Sequence, residues 1–417
     1  MSSAKPPLAL SGERFTAVYR LAVDAAEVEA RARAIGLEQT VEFPDALIPS
    51  DAIREQIVGE IAAITPCARA DGGSGFEVSL RYPVEAAGSE LTQLLNVLFG
   101  NVALQPGVRL QRIELPPALL DGFRGPRFGI AGLRRALASA LAPDALHPTR
   151  TPPEAAKASS TPPQRPLLCT ALKPMGLSPS ELAELAYRLA LGGIDLIKDD
   201  HGLADQPFCR FDERVARCAE AVHRANQETG GHSLYLPNVT APATAVVARA
   251  QRAKAEGAGG LLFCPGLAGL DTMRALADDD ALALPILSHP ALLGGLAINP
   301  GTGIAHGLLF ATLLRLAGAD ATIFPHSGGR FTFTASECQE IADAARASLG
   351  TLQPIWPVPA GGMRLARVPE LVESYGSDSI FLIGGDLHAG PDLVERCQAF
   401  RALVERSADG SVIDRHQ

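Results

Sequence analysis

The chain lacks a positive field: 37 Lys and Arg stand against 46 Asp and Glu, a formal charge of −9. Such a surface does not attract nucleic acid or anionic lipid as a whole, so any anion must be met by a local site. Paired thiols are missing too. The seven cysteines (Cys67, Cys169, Cys209, Cys218, Cys264, Cys338, Cys397) are scattered, with no C-x-x-C pair. That excludes a disulfide framework and a zinc knuckle, and a reducing cytoplasm is expected. The start has no basic stretch followed by an apolar run of signal-peptide length, and the longest apolar region, 281–298, is interrupted by Pro285, His289 and Pro290. Neither export nor membrane insertion is expected.

What is present is enough apolar material for a sizeable core, 47% of 417 residues, which predicts two globular domains. Residues 142–164 hold six prolines and no sustained period and read as a linker or exposed insertion. Before it, residues 1–141 predict strands over 15–23, 35–43, 76–82 and 107–113, with helices over 51–63 and 90–99. This order fits an α+β domain of the ferredoxin-like kind. After it, residues 165–417 alternate helical stretches with eight apolar runs, at 167–172, 194–197, 233–236, 260–264, 285–288, 321–324, 354–358 and 380–383. Eight such units in roughly 250 residues predict an α/β fold, a (β/α)8 TIM barrel. No G-x-G-x-x-G follows the first run, which disfavours a doubly wound sheet. The first barrel helix is punctuated by Ser178 as N-cap, Pro179 at N1, Glu181 at N3 and Gly192-Gly193 at its end.

In a barrel the chemistry sits where the strands end. The polar residues following the runs are Lys173, then Lys198, Asp200 and His201, then Asn238, His289, and His326 with Arg330. The pairs Gly361-Gly362 and Gly384-Gly385 follow the last two runs. Strand alternation puts Lys198 and Asp200 on one face and Asp199 on the other. The first two form either a plain salt bridge or, with His201, the start of a metal site. The glycine pairs are either turn chemistry or bare backbone for phosphate. Lys173 is either a surface lysine or a proton-transfer group.

The stretches Ala171-Leu172-Lys173-Pro174, Gly192-Gly193-Ile194-Asp195-Leu196-Ile197-Lys198-Asp199-Asp200 and Gln206-Pro207-Phe208 resemble, in order and spacing, the signature of the ribulose-bisphosphate carboxylase (RuBisCO) large chain. The likeness is greater to the RuBisCO-like proteins of form IV. It extends to Phe99-Gly100-Asn101-Val102, to Gly125-Pro126-Arg127-Phe128-Gly129-Ile130 and to both glycine pairs. The resemblance implies a homodimer in which Glu38 and Asn101 reach the partner's barrel. It also implies one Mg²⁺ per site, with Mn²⁺ as the alternative ion, held by Asp200, by His201 and by Lys198 carrying CO₂ as a carbamate. His201 replaces an acid of the family, so the ligand charge falls by one and the ion would be more electrophilic.

Other departures from the family bear on activity. The catalytic loop lysine is missing from Phe324-Pro325-His326-Ser327-Gly328-Gly329-Arg330-Phe331, so CO₂ fixation on ribulose bisphosphate is not expected. His289 is retained as a catalytic candidate. Pro290 and Leu293 replace an arginine and a histidine of one phosphate site, while Gly361, Gly362, Gly384 and Gly385, with Arg330, would hold the other. A singly phosphorylated sugar substrate follows, with enediolate chemistry and Lys173 moving the proton. The Asp199-Asp200-His201-Gly202 run resembles the branch acting on 3-oxo-isoapionate 4-phosphate. That places a decarboxylase, or a transcarboxylase-hydrolase, of apiose catabolism first. A methionine-salvage enolase or isomerase is the alternative, and a non-catalytic regulatory protein the rival from another class. No nucleic acid or membrane partner is expected.

Overall fold

The computed structural model describes residues 8–68, 72–139, 164–329, 331 and 333–408. Nearly all of the proline-rich segment at 142–164 lies outside the described residues, as does Arg330. The chain forms two compact units. One comprises Met1–Arg124, Leu292–Leu316 and Ser348–Leu352, the other Gly125–Ala291, Ala317–Ala347 and Gln353–Gln417. The change of unit at Arg124 thus comes ahead of the proline-rich segment.

The first unit follows a βαββαβ order: β1 (Arg14–Leu21), helix Val28–Glu38, β2 (Glu60–Ala68), β3 (Ser74–Pro83), helix Leu91–Phe99 and β4 (Val108–Glu114). The strands pair antiparallel in the order β4-β1-β3-β2, the ferredoxin-like arrangement. A two-residue strand, β10 (Gly303–Ile304), pairs parallel to β4 at one edge. Two expectations fail here. Residues 35–43 are not a strand: Val28, Ala32, Ile35 and Gly36 bury one stripe of a helix that stops at Glu38, so the 3.6 period overrides the alternation of Ile35, Leu37 and Val41. Residues 51–63 are a short helix, Asp51–Gln56, followed by β2. β2 is a mostly exposed edge strand rich in alanine, which reads as helix from composition, and it tolerates Pro66 because an edge need not donate on both sides.

The second unit holds the barrel: β5 (Leu167–Leu172), β6 (Leu196–Asp199), β7 (Leu234–Leu236), β8 (Leu261–Phe263), β9 (Ile286–Ser288), β11 (Ala321–Pro325), β12 (Trp356–Ala360) and β13 (Ile380–Ile383). All pairs are parallel, in the order β7-β6-β5-β13-β12-β11-β9-β8, and an Asn238–Leu262 bridge joins the two ends. Inward residues such as Leu196, Leu236, Leu262 and Val358 form the core with Ile130, Leu133 and Leu137 of helix Gly129–Ser139. Each large apolar side chain so buried contributes about 1.5–3 kcal/mol. Asp320 anchors that helix, accepting the N–H of Phe128 at 2.6 Å and of Gly129 at 2.8 Å, while its other oxygen accepts from Ile286 at 2.9 Å.

Helix Pro179–Leu191 starts on the expected capping box, with Ser178 and Glu181 exchanging hydrogen bonds. It stops at Gly192, where a Cβ would collide with Cys397. Asp195, just before β6, accepts two bonds from Arg165 at 2.8 and 2.9 Å and one from the Leu168 N–H. All seven thiols are free. Among the described residues no helix is long and apolar enough to cross a membrane.

Candidate active site at the strand ends of the barrel

β6 carries adjacent acids in opposite directions. Asp199 is fully buried and accepts from Arg214 Nε at 3.0 Å, from the Tyr235 hydroxyl at 2.8 Å and from the Asn238 N–H at 3.0 Å. It is spent on holding β6 to β7 and to helix Phe211–Thr229. Asp200 turns the other way: Lys173 Nζ, from the end of β5, stands 3.0 Å from Oδ1, and His201 Nδ1 stands 3.2 Å from the same atom. Burial works to raise the Asp200 pKa, but His201 and Lys173 hold the carboxyl well below the usual carboxylate range.

Lys198 is 2% exposed and donates to the Asp199 carbonyl at 3.1 Å. Burial pushes its ammonium below the ordinary lysine value, and the charge of Lys173 acts in the same direction. The neutral amine so favoured is the nucleophilic form. The His201 ring stacks on His289, centroids 4.2 Å apart and planes inclined by 12°. His289 Nδ1 accepts the Ala291 N–H at 3.2 Å, which puts the proton of the neutral ring on Nε2. Burial, then the Lys198 charge, lower its pKa to about 2. It is therefore a neutral donor at physiological pH, not a base waiting to be charged.

Asn238, at the end of β7, is 1% exposed and ties the loops together. Its amide donates to the carbonyls of His201 at 2.9 Å and Leu203 at 2.8 Å, and its oxygen accepts from the Thr240 N–H. Further round, His326 is buried at the end of β11 with Nδ1 2.9 Å from the Tyr375 hydroxyl. Gly361 and Gly362 have φ of 91° and 69°, which only glycine adopts freely. Among the described residues a Cβ on Gly384 or Gly385 would meet nothing within 4 Å.

The structure therefore gathers Lys173, Lys198, Asp200, His201 and His289 at β5, β6 and β9, and sets the glycine pairs after β12 and β13. Glu38 and Asn101 meet within the first unit at 3.0 Å. The Asp199 network, Asn238 as a brace, and Tyr375 escape a linear reading. Their signal is contact between distant elements, which no short motif carries.

Among the described residues no three His, Cys, Asp or Glu side chains cluster as a ready cation site. Asp200 and His201 could supply two donors. Among the described residues Asp200 Oδ1 is a buried oxygen without a well-formed hydrogen bond, held in ionic contact with Lys173 and His201. A third donor would have to come from Lys198, which as an ammonium repels a cation and as a carbamate would supply an oxygen. With that modification the donor set fits a hard divalent ion.

Residues 161–411 match the family described as ribulose bisphosphate carboxylase large chain, catalytic domain. Ribulose bisphosphate carboxylase-like protein 1 of Rhodopseudomonas palustris is 42% identical over 393 residues, covering 94% of this chain and 98% of that one. The 5-methylthioribulose-1-phosphate isomerase of Rhodospirillum rubrum is 41% identical over 397 residues, covering 95% and 97%. The crystal structure of a Rubisco-like protein from Rhodopseudomonas palustris superposes with a TM-score of 0.79 at 37% identity, covering 97% of this chain and 99% of that one.

Proposed function

Because the chain belongs to the ribulose bisphosphate carboxylase large-chain family, we propose that it is a RuBisCO-like enzyme that isomerises or enolises a singly phosphorylated methylthio-pentulose. The observation that carries this is the Lys173–Asp200 contact of 3.0 Å at the barrel mouth, with Lys173 half exposed. It sets a mobile proton carrier against a fixed carboxylate. As the neutral amine, turned away from Asp200, Lys173 would take the proton from the carbon beside the carbonyl and return it to the neighbouring carbon, so no oxidant or reductant is required. His289, neutral with its proton on Nε2, donates a hydrogen bond to a substrate oxygen.

Asp200, His201 and carbamylated Lys198 would hold Mg²⁺, or Mn²⁺ in its place. When bound, the ion supplies Lewis-acid polarisation of the substrate oxygens. Gly361, Gly362, Gly384 and Gly385, with Arg330, would take the phosphate through backbone N–H groups and one cation. Glu38 and Asn101 of one protomer would complete the partner's site in a homodimer.

On sequence alone, sugar-acid decarboxylation stands first. The likeness to an isomerase named for 5-methylthioribulose 1-phosphate, at 41% identity over nearly the whole chain, reverses that order. Decarboxylation of 3-oxo-isoapionate 4-phosphate remains the second reading, favoured by His201 where the family has an acid. A β-keto acid reaches the enediolate by losing CO₂, without C–H cleavage.

The test is to incubate the protein with Mg²⁺ and bicarbonate in D₂O with each phosphate. Deuterium exchange and isomerisation of the methylthio substrate, without CO₂ release, is expected. Release of CO₂ from the sugar acid, with no turnover of the methylthio compound, overturns the assignment.

A further inference from the structure

We infer that Gln39 is the positioning residue that assembles the Glu38–Asn101 pair. This rests on the reading above that the pair meets the substrate.

Glu38 is the last residue of helix Val28–Glu38, and Asn101 opens the turn Asn101–Leu104 that follows helix Leu91–Phe99. Asn101 Nδ2 donates to Glu38 Oε1 at 3.0 Å. Asn101 is exposed and Glu38 only half buried. A hydrogen bond in contact with water contributes little net free energy, so this bond does not by itself hold two segments in register.

Gln39 does what that bond cannot. It is 7% exposed, and its amide nitrogen donates to the carbonyls of Asn96 at 2.9 Å and Val97 at 2.8 Å. Its Oε1 accepts the Val102 N–H at 3.0 Å. Both amide hydrogens are thus used, together with the carbonyl oxygen. The two carbonyls belong to the last turn of helix Leu91–Phe99; that of Asn96 also accepts the Gly100 N–H at 2.8 Å, and that of Val97 is one of the end carbonyls a helix leaves over. The N–H belongs to the residue immediately after Asn101. One buried amide therefore pins the backbone on both sides of Asn101, from the residue next to Glu38. Gly100 allows the tight turn between the pinned points: a Cβ there would collide with Asn96.

The choice of side chain follows. A glutamate at 39 would aim a carboxylate at two carbonyls, and an apolar residue would take this partner from the buried Val97 carbonyl and Val102 N–H, leaving the Asn96 carbonyl its bond from Gly100. Glutamine satisfies all three. Glu38 and Asn101 are consequently delivered at a fixed spacing before any ligand arrives, which is where positioning of non-reacting groups contributes to rate.

The test is a double-mutant cycle on the full-length protein, Gln39→Met with Asn101→Ala, read as kcat and KM separately with 5-methylthioribulose 1-phosphate. Gln39→Met alone should lower kcat/KM by roughly 10-fold to 100-fold, with the same split between kcat and KM as Asn101→Ala. In the Asn101→Ala background it should cost less than about 2-fold, the signature of acting through that residue. An equal loss in both backgrounds, or no loss from Gln39→Met, overturns the inference. Should Gln39→Met fail to fold, Gln39→Glu keeps the acceptor for Val102 and serves in the same cycle. The side-chain amide resonance of Asn101, in protein labelled with ¹⁵N-asparagine, separates this inference from the functional reading on which it rests. It should move in Gln39→Met as it does in Glu38→Gln. If it does so while Asn101→Ala turns over normally, the role of the pair in catalysis falls and the positioning by Gln39 stands. If it does not move, the positioning falls.

Discussion

Lys173 Nζ and Asp200 Oδ1 are 3.0 Å apart, yet the lysine side chain is 46% exposed and the aspartate only 11%. The flexible cation can swing away from the fixed carboxylate. Its charge nevertheless opposes a cation at the same oxygen. Lys173→Ala should lower kcat by about 10²–10⁴, the range for loss of a positioned acid or base. The same change should tighten binding of Mn²⁺, followed by its electron spin resonance signal, because a positive charge beside Asp200 is gone. Turnover within a few-fold of the parent would remove Lys173 from the chemistry.

Among the described residues Lys198 makes one hydrogen bond, to the Asp199 carbonyl, from a buried position. A buried amine of this kind is costly to keep charged, and replacing it with an apolar group of similar length should not harm the fold. Lys198→Met is therefore expected to melt within a few degrees of the parent, to lose turnover, and to lose any thermal stabilisation by Mg²⁺ with bicarbonate. Retained turnover in this variant would exclude the carbamate.

The barrel is legible in the chain because each strand is a short apolar run between helical stretches. The runs at 167–172 and 380–383 coincide with β5 and β13. The chemistry-bearing residues are legible for the same reason, since Lys173, Lys198 and His289 directly follow such runs and Asp200 stands two residues beyond Lys198. The first unit is harder. Its helix Val28–Glu38 continues into a segment whose apolar residues alternate, and β2 exposes most of its side chains. Bracing roles are hidden: Gln39 bonds Val102 across 63 positions, and Asn238, legible as a strand-end residue, bonds His201 across 37. Such pairings are set by tertiary packing, which local periodicity does not encode.

Gly384 and Gly385 have open space where a Cβ would stand, so packing does not explain why they lack side chains. Bare backbone approaching a ligand does. Gly385→Ala should leave the melting temperature unchanged and raise KM for the phosphorylated substrate about 10-fold or more, the equivalent of about 1.4 kcal/mol. A drop in melting temperature with unchanged KM would mean that the glycine serves the turn and not the phosphate.

Asp195 tests the base of the barrel, away from the chemistry. Burial would raise its pKa, but Arg165, hydrogen-bonded at 2.8 and 2.9 Å, and then Arg401 hold it below the ordinary 3.8. The folded state thus binds this proton less readily than the unfolded chain. The ion pair's contribution to stability is complete above the unfolded value and is lost as the pH falls below about 4. Asp195→Asn leaves Arg165 buried beside a neutral amide, and should cost about 3–5 kcal/mol at pH 7. Urea unfolding should give the same difference between parent and variant at pH 7 and at pH 5, narrowing only below about pH 4. A difference that already shrinks between pH 7 and pH 5 would place the titration of Asp195 above its ordinary range, with burial outweighing the arginines.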